Sequence, residues 1–382
     1  MLKKIITLFL AISILIPCIG VSKASAEETQ LNITAPSALL MDYETGKVLY
    51  EKNSHEIRPC ASITKVMTLC LIFEAIESGK FGYDTIVTTS PFAAAMGGSD
   101  IWLVEGEQMS VNDLIKAIVV VSANDAAVAM AECVSGSEDA FVAEMNKKAS
   151  ELGMNDTTFK NCNGLDEDGH VTSAFDVALM SRELMKHEEI YNYTTIWLDY
   201  IRDGATQLVN TNKLLKTYDG ITGLKTGTTS KAGACISATA QRNGLNLIGV
   251  VLGAENTADR FTDAAALLNY GFANYSSAEP KLPDEKPESV QILKGMSGEA
   301  ALRYSVEGKF LMKKGTEENI VSKIKIDEEI EAPVSKGQQL GKIIYTCNDE
   351  ILGEYPIVST EDIKEINFKD VFVLLFDSFI SF

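Results

Sequence analysis

The chain has 382 residues, of which 34 are Lys or Arg and 53 are Asp or Glu, so its formal net charge is −19 at pH 7. This acidity excludes a nucleic-acid-binding protein, whose binding surface is basic. Hydrophobic residues make up 46% of the chain, which is enough for a sizeable core and excludes a wholly disordered protein.

The N-terminal 26 residues have the pattern of a secretory signal peptide. Two lysines precede an apolar run over 5–20, and the small residues of 24–26 provide a cleavage site after Ala26. A membrane-spanning anchor is the alternative, but the run is shorter than the ~20 residues needed to cross a bilayer. A lipoprotein signal ending at Cys18 fits poorly, because a proline precedes that cysteine. We therefore predict an exported protein.

The next segments predict strands followed by helices. Residues 39–50 form two apolar runs around a Thr-Gly turn, which is typical of paired strands. From Ser62 to Ser78 the spacing is helical and apolar on almost every side, so this helix is expected inside a large core and ends at Gly79. Further helices are predicted over 114–121 after the capping pair Ser110 and Asp113, along the stripe Phe141, Met145, Ala149 and Leu152, and after the capping pair Ser173 and Asp176.

Strand patterns return after the helices. Residues 233–241 and 245–254 read as strands, and an Asn-Gly pair between them is a strong hairpin signal. A helix with an apolar stripe over 261–268 follows. Strands at both ends with helices between them predict an α/β domain over 27–275, in which helices flank an antiparallel sheet and form a helical subdomain.

Beyond this domain the composition changes. Three prolines within 280–287 indicate a linker, which we place at 276–287. Short apolar runs separated by turn residues then predict a small all-β domain over 288–362. The expected strand runs are 301–312, 320–330, 342–346 and 351–358.

The tail over 363–382 predicts an amphipathic helix. It is too short to span a bilayer, so we predict that it lies at the membrane surface. Such helices are usually basic and this one is not, so a helix or strand docked on the protein is the alternative. The apolar residues of the stripe are Phe368, Val371, Phe372, Leu375, Phe376, Phe379 and Ile380.

Ser62 and Lys65 are the first candidate catalytic residues. Residues three apart on a helix share a face, so the Lys65 amine can reach the Ser62 hydroxyl. A serine hydroxyl needs a base beside it, and lysine is a base only when uncharged. Burial and a nearby cation both lower a lysine pKa, and a helix start offers N–H groups for a developing oxyanion. An ordinary helix start is the alternative. The same spacing at Ser322 and Lys325 lies in an expected strand, where residues three apart point to opposite faces.

Ser122 and Asn124 follow an apolar helix, at an expected junction between interior helices. Ser122 would then be a second hydroxyl that passes protons, and Asn124 would orient the lysine or the substrate. The alternative is structural, because Ser122 and Asp125 have the spacing of another capping box.

Lys225, Thr226 and Gly227 lie just ahead of the hairpin, on an expected edge strand. Lys225 can pair with a substrate carboxylate and help to lower the pKa of Lys65, although a solvated strand lysine is the usual alternative. Gly227 allows another backbone to approach closely. Thr226 and Thr228 suit a strand that hydrogen-bonds an extended peptide.

The order Ser-x-x-Lys, Ser-x-Asn and Lys-Thr-Gly resembles the motif set of penicillin-binding proteins and serine β-lactamases. The wider sequence at 59–65, 151–154 and 223–229 resembles the low-molecular-mass D-alanyl-D-alanine carboxypeptidases. The resemblance implies a β-lactamase/transpeptidase-like fold and an exported serine peptidase at the cell wall, on the outer face of the cytoplasmic membrane. It would remove the terminal D-alanine from peptidoglycan stem peptides, be acylated by β-lactams, and need no metal or cofactor.

The resemblance also implies a role for each matched residue. Ser62 would form the acyl-enzyme, Lys65 would accept its proton, and Ser122 would pass a proton to the departing D-alanine. Lys225 would bind the terminal carboxylate, and the N–H groups of Ser62 and Thr228 would form the oxyanion hole. Asn124, Thr226 and Gly227 complete the expected substrate site.

Three alternatives share these residues. A β-lactamase needs a second base for the deacylating water, and the sequence has no Glu-x-x-Leu-Asn motif to supply it. An endopeptidase could use the same site on cross-linked peptides. A non-catalytic cell-wall-binding protein would keep the motifs without the reaction.

Overall fold

The structure, a computed structural model, describes residues 31–380, so the predicted signal peptide over 1–26 lies outside the described residues. The strands are β1 (Ser37–Asp42), β2 (Val48–Lys52), β3 (Ile86–Thr88), β4 (Gln108–Ser110), β5 (Leu198–Ile201), β6 (Thr206–Val209), β7 (Ile221–Thr229), β8 (Gly233–Arg242), β9 (Leu245–Ala254), β10 (Tyr275–Ala278), β11 (Ser289–Gln291), β12 (Glu299–Tyr304), β13 (Phe310–Lys313), β14 (Ile320–Ile326), β15 (Gln339–Cys347) and β16 (Glu350–Ser359). The helices are α1 (Lys65–Glu77), α2 (Pro91–Ala94), α3 (Val111–Val120), α4 (Asn124–Ser135), α5 (Glu138–Glu151), α6 (Ala174–Leu184), α7 (Tyr191–Thr194), α8 (Leu214–Thr217), α9 (Thr257–Asn274) and α10 (Phe368–Ile380).

The first domain is organised around a five-stranded antiparallel sheet with the order β2-β1-β9-β8-β7. The strands come from both ends of the domain, which confirms the predicted α/β architecture. The β8–β9 hairpin turns at Asn243 and Gly244, both with positive φ, as the Asn-Gly signal predicts.

Helices cover both faces of this sheet. Gly249 of β9 packs against Leu268 of α9, while the Ser237 hydroxyl of β8 bonds Ser181 of α6 at 2.7 Å. The register partner of Gly249 is Ala238, which neighbours Ser237 and therefore faces the other way. The two helices thus lie on opposite faces of the sheet. Strand β7 is last in the strand order and forms an edge of the sheet.

Helix α1 lies in the core, as its apolar composition predicts, and contacts α4, α5 and α6. The predicted serine caps are confirmed on two helices. The Ser110 hydroxyl accepts from the Asp113 N–H at the start of α3, so this helix begins three residues earlier than expected, and Ser173 accepts from the Asp176 N–H at the start of α6.

The C-terminal part is the predicted all-β domain, with a five-stranded sheet in the order β11-β12-β16-β15-β14 and a small pair β10-β13. Several boundaries differ from the sequence predictions. The run 320–330 is a strand only over Ile320–Ile326, and the run 342–346 is part of a longer strand, Gln339–Cys347. The run 301–312 is two strands, because the mostly polar residues 305–309 leave the sheet. The linker predicted at 276–287 begins later, because residues 276–278 belong to β10 and pair with β13.

The tail is helical, as predicted, and α10 exposes the side chains of Phe368, Phe372 and Phe376. The choice between a tail at the membrane surface and a tail docked on the protein stays a prediction. Within residues 31–380, no helix has both the length and the apolar character needed to cross a bilayer.

Candidate active site

Ser62 and Lys65 lie where a short 3₁₀ turn (Ala61–Thr64) passes into helix α1. The Lys65 amine donates to the Ser62 hydroxyl oxygen at 3.1 Å. Lys65 is completely buried although it is a charged residue type, and such burial is rare unless the group is paired or functional. The turn therefore places a nucleophile and a potential base in direct contact.

Two further acceptors hold the Lys65 amine. Nζ donates to Asn124 Oδ1 at 2.5 Å and to the Asn163 carbonyl at 2.6 Å. Burial lowers the pKa of Lys65 to about 7, against the opposing influence of Cys162, Asp100 and Asp125. A sizeable fraction of this amine is therefore uncharged near neutral pH and able to accept a proton.

The turn that carries Ser62 is strained and held by a chain of hydrogen bonds. Ala61 has φ 51°, and its carbonyl accepts from the Thr64 hydroxyl at 2.9 Å. Thr64 Oγ1 lies 2.7 Å from His170 Nε2, and the Lys160 N–H donates to His170 Nδ1 at 3.0 Å. Because Nδ1 accepts, the ring proton is on Nε2, and burial lowers the pKa of His170 to about 4. A neutral histidine thus fixes the backbone just before the nucleophile.

Ser122 lies between helices α3 and α4 in a left-handed conformation with φ 65°. The capping-box alternative is wrong, because Ala123 is the N-cap residue of α4 and no partner of the Ser122 hydroxyl is found within residues 31–380. Ser122 is 5% exposed, so its buried hydroxyl is available to hydrogen-bond a ligand or to transfer a proton.

Asn124 begins α4 and links two parts of the site. Its Oδ1 accepts from Lys65, and its Nδ2 donates to the Gly97 carbonyl at 2.6 Å. The next residue, Asp125, is buried and accepts from the Ile101 N–H, so it holds the segment that follows Gly97. Asn124 therefore orients the lysine, as one of the two predicted alternatives states.

Strand β7 is the edge of the sheet, and it brings Lys225, Thr226 and Gly227 to the nucleophile. A Cβ atom placed on Gly227 would lie 2.8 Å from the Cys60 carbonyl oxygen and 2.9 Å from the Ser62 nitrogen. Only glycine allows this approach, and the backbone that approaches is the nucleophile turn itself. The Ser62 N–H thus lies beside the backbone that leads to Thr228.

Lys225 is a second buried cation, 1% exposed, and its amine donates to the Thr226 carbonyl at 2.9 Å. Burial, then the positive charges of Lys65 and Arg260, lower its pKa well below the ordinary lysine value. The Thr226 hydroxyl donates to Thr211 at 2.7 Å. An anionic group that entered here would favour the charged form of Lys225 and would be attracted by Arg260 as well.

Two further residues contribute to the site without belonging to any of the sequence motifs. Arg260 of α9 is 5% exposed and donates to the Gly227 carbonyl at 3.0 Å and the Thr228 hydroxyl at 2.8 Å. Its signal was an arginine on a helix face whose other buried residues, apart from Asp263, are apolar or glycine. Asn163 acts through its backbone carbonyl, which no side-chain pattern reveals.

Taken together, hydrogen bonds join Ser62, Lys65 and Asn124, and backbone packing adds Gly227. This arrangement can activate a hydroxyl, place N–H groups near the bond under attack, and hold an anionic chain end against buried cations. It has the parts of an acyl-transfer site.

Comparison with known proteins places these parts in a family. A family profile described as D-alanyl-D-alanine carboxypeptidase matches residues 23–256. A second profile, described as penicillin-binding protein 5, C-terminal domain, matches residues 275–365.

Individual relatives agree. The chain is 43% identical over 344 residues to D-alanyl-D-alanine carboxypeptidase DacF of Bacillus subtilis (strain 168), covering 89% of this chain and 88% of that protein. Its structure resembles penicillin-binding protein 5 from Haemophilus influenzae, with a TM-score of 0.78, 29% identity, and coverage of 87% of this chain and 98% of that one. The ampicillin-bound form of penicillin-binding protein D2 from Listeria monocytogenes matches with a TM-score of 0.58, 34% identity, and coverage of 63% of this chain and 99% of that one.

Proposed function

Because the chain belongs to the D-alanyl-D-alanine carboxypeptidase family, we propose that Ser62, Lys65, Ser122 and Lys225 carry out its reaction. The protein is a serine-type D-alanyl-D-alanine carboxypeptidase, a hydrolase that acts on cell-wall peptidoglycan. The observation that carries the residue assignment is the contact, at 3.1 Å, between the buried Lys65 amine and the Ser62 hydroxyl.

Acylation begins when the uncharged Lys65 amine takes the proton of Ser62. Ser62 Oγ bonds to the carbonyl carbon of the penultimate D-alanine, and the N–H groups of Ser62 and Thr228 bind the oxyanion. The peptide bond then breaks as Ser122 donates its proton to the nitrogen of the departing D-alanine, and Lys65 returns the proton it had taken to Ser122 and is uncharged again. A water molecule then adds its hydroxyl to the acyl carbon, the ester bond to Ser62 Oγ breaks, and the remaining proton of the water restores the Ser62 hydroxyl.

Recognition of the chain end relies on buried positive charge. The terminal carboxylate of the substrate lies against Lys225, whose pKa is lowered by burial and by its cationic neighbours. Arg260 fixes the Gly227 carbonyl and the Thr228 hydroxyl, and so fixes the strand beside which an extended peptide pairs. Asn124 and Thr226 complete the walls of this site.

The location of the enzyme is part of the proposal. A substrate in the cell wall requires export, and the sequence over 1–26 supplies a signal-peptide pattern. The exposed phenylalanines of α10 favour contact with the membrane surface after export. Such a contact would keep the enzyme near newly made wall.

The test is reaction with a labelled penicillin, a β-lactam that would acylate the same serine. Mass spectrometry of the digested protein should place one adduct on the peptide that contains Ser62. Ser62→Ala should abolish the adduct, and the matched variant Ser322→Ala should keep it. The unmodified enzyme should also release D-alanine from a peptide ending in D-Ala-D-Ala.

Other results would point to the alternatives. Rapid turnover of penicillin would indicate a β-lactamase, and cleavage restricted to cross-linked peptides would indicate an endopeptidase. A folded protein that shows neither adduct nor cleavage would be a wall-binding protein, and the residue assignment would then be wrong.

A further inference from the structure

Trp102 is an exposed aromatic residue that the proposed reaction does not use. Its side chain is 79% exposed, although its neighbours Ile101 and Leu103 are 1% and 3% exposed. Its φ of 54° is a left-handed conformation that bulky residues rarely adopt. A large apolar side chain is therefore presented to solvent by a backbone that is itself strained.

Two side chains hold this strained backbone, one through its N–H groups and the other through a carbonyl. The buried Asp125 carboxylate accepts from the Ile101 N–H at 3.1 Å and from the Leu103 N–H at 2.9 Å. Arg202, at the tip of the β5–β6 hairpin, donates to the Ile101 carbonyl at 2.9 Å and to Glu107 at 2.7 Å. The residues that flank Trp102 are thus fixed, and the indole is presented by a preorganised loop.

The loop is tied directly to the catalytic lysine. Asn124 bonds Lys65 through Oδ1 and the Gly97 carbonyl through Nδ2. Trp102 follows Gly97 by five residues, which span at most ~18 Å, and the path through the Asn124 amide adds ~7 Å, so its backbone lies within ~25 Å of the Lys65 amine. An extended stem peptide of five residues covers ~17 Å, most of that distance. Whatever precedes that peptide in the substrate therefore comes within reach of this loop.

The charges around Trp102 define the ligand. The segments 97–107 and 198–209 carry five carboxylates and one arginine. That arginine binds Glu107, and Lys116 binds Asp199 at 2.9 Å, so two of the five carboxylates are paired. Carboxylates accept hydrogen bonds from hydroxyl and amide groups but repel anions. An aromatic side chain on a segment rich in such acceptors suits a neutral polyhydroxyl ring with an apolar C–H face, and it disfavours the carboxylates of a peptide. The acidic residues are Asp100, Glu105, Glu107, Asp199 and Asp203.

We propose that Trp102 is a saccharide-binding platform, on which an N-acetylated hexosamine of the peptidoglycan glycan strand stacks while its stem peptide occupies the site of Ser62. This inference rests on the proposed function and extends it from the peptide to the sugar that bears it. Trp102 makes no contact with the reacting bond. It raises the affinity for substrate that is attached to glycan.

The test compares two substrates with the same peptide. One is the free pentapeptide ending in D-Ala-D-Ala, and the other is that peptide attached to its N-acetylated disaccharide. Trp102→Ala should raise KM for the disaccharide substrate about fivefold, the scale of one aromatic stacking contact, with kcat unchanged. Hydrolysis of the free peptide should not change. Trp102→Phe should restore most of the loss, and the matched control Val104→Ala, a neighbouring exposed apolar residue, should behave like the unmodified enzyme.

Each other pattern overturns the proposal. An equal loss on both substrates would mean that Trp102 only supports the loop, and a loss on the free peptide alone would mean that it binds peptide. No loss on either substrate would mean that the indole binds nothing in this reaction. Failure of the proposed function is distinct, because the unmodified enzyme would then release no D-alanine from either substrate and take up no penicillin.

A second measurement does not depend on catalysis. The chain has two tryptophans, so Trp197→Phe leaves Trp102 as the sole indole. Titration of this variant with the N-acetylated disaccharide, without peptide, should shift the indole fluorescence in a saturable way. An unchanged spectrum up to millimolar disaccharide would overturn the proposal even if the kinetic variants lost activity.

Discussion

Two Ser-x-x-Lys segments in this chain have the same spacing but very different surroundings. Ser62 and Lys65 lie on a helical turn inside the first domain, and their side chains touch. Ser322 and Lys325 lie on β14 at the edge of the second sheet, opposite Tyr345 and Lys342. Residues three apart on a strand point to opposite faces, so this second pair cannot meet. Spacing alone allows a catalytic pair, but the local backbone and burial decide whether it forms.

The two edge strands make the same point. Lys225 on β7 and Lys325 on β14 both belong to the outermost strand of a five-stranded antiparallel sheet. The nucleophile turn packs against the face of β7 at Gly227, and Lys225 is 1% exposed, whereas Lys325 is open to solvent. An exposed lysine on an edge strand discourages pairing with other chains. A buried lysine such as Lys225 can instead bind an anionic group of a ligand.

The largest effect on the acylation rate is expected at Lys65, and Lys325 of the second Ser-x-x-Lys segment is its control. Lys65→Ala should slow acylation by labelled penicillin by about 10³-fold or more, because loss of a positioned base typically removes most of its 10²–10⁴-fold contribution and here also affects the nucleophile's hydrogen bond. Lys325→Ala should leave the rate unchanged. Both rates are measured by quenched time courses.

The control shows whether the Lys65→Ala enzyme is still folded. Removal of Lys65 leaves the Asn124 and Asn163 oxygens without their donor, so the melting temperature must be measured alongside the rate. A folded Lys65→Ala enzyme that acylates at the normal rate would contradict the role of the lysine as base.

The next effect concerns two glycines with the same backbone conformation. Gly164 has φ 86° and Gly337 has φ 84°. A Cβ on Gly164 would lie 2.0 Å from the Ala61 carbonyl oxygen, beside the nucleophile, whereas a Cβ on Gly337 would meet no atom within 4 Å. Gly337→Ala should lower the free energy of unfolding by ~1–2 kcal/mol, the cost of the left-handed conformation. Gly164→Ala should cost ~2 kcal/mol or more beyond that, because the nucleophile turn must move.

Chemical denaturation measures both glycine variants, and penicillin acylation shows where the excess cost falls. We expect slow acylation for Gly164→Ala and a normal rate for Gly337→Ala. Equal unfolding free energies for the two variants would mean that the turn yields easily and is not held in place by this contact.

A smaller effect is expected at the carboxylate site. Lys225→Ala should lower kcat/KM for a free-acid peptide by about 30-fold, the scale of losing one partner of a buried charge pair. The C-terminally amidated peptide should lose little, because it brings no carboxylate to this cation. Lys323→Ala on β14 is the matched control and should change neither value. Equal losses on both peptides would contradict a role of Lys225 in recognising the carboxylate.

The sequence was sufficient for the parts of this site that local rules determine. The helical spacing of Ser62 and Lys65, the Asn-Gly hairpin and the serine caps of α3 and α6 depend on residues within a few positions of one another. The fold class followed from the order of those elements. The strand pattern around Ser322 and Lys325 likewise predicted that these two residues do not form a catalytic pair.

The features that the sequence did not reveal depend on distant parts of the chain. Ser122 has the spacing of a capping residue, yet tertiary packing places it in a left-handed conformation with Ala123 as the cap. Asn163 contributes a backbone carbonyl, and Arg260 reaches β7 from a helix 33 residues beyond Gly227. The linker was misplaced because β10 becomes a strand only through its partner β13. Such pairings are decided by the assembled fold.

The last kinetic prediction concerns how the rate of acylation by penicillin depends on pH through Lys65. The pKa of Lys65 is lowered to about 7 by burial, so the amine gains a proton as the pH falls below that value and ceases to be a base. The acylation rate should therefore level off above about pH 8 and fall about tenfold per unit well below pH 7. His170, with a pKa of about 4, stays neutral through this range. The Lys325→Ala enzyme should give the same profile.

Stability should respond to the same group in a definite direction. The ordinary lysine pKa is 10.5, so between about pH 7 and 10.5 the unfolded chain binds more protons at Lys65 than the folded chain. The free energy of unfolding should therefore rise with pH in this window, with a slope from Lys65 of at most ~1.4 kcal/mol per unit, and the cost of burying the cation is fully present below pH 7. Lys65→Met should flatten this rise in denaturation series at several pH values, while Lys325→Met should keep it. If both variants keep the slope of the unmodified enzyme, the buried amine is charged throughout and cannot be the base.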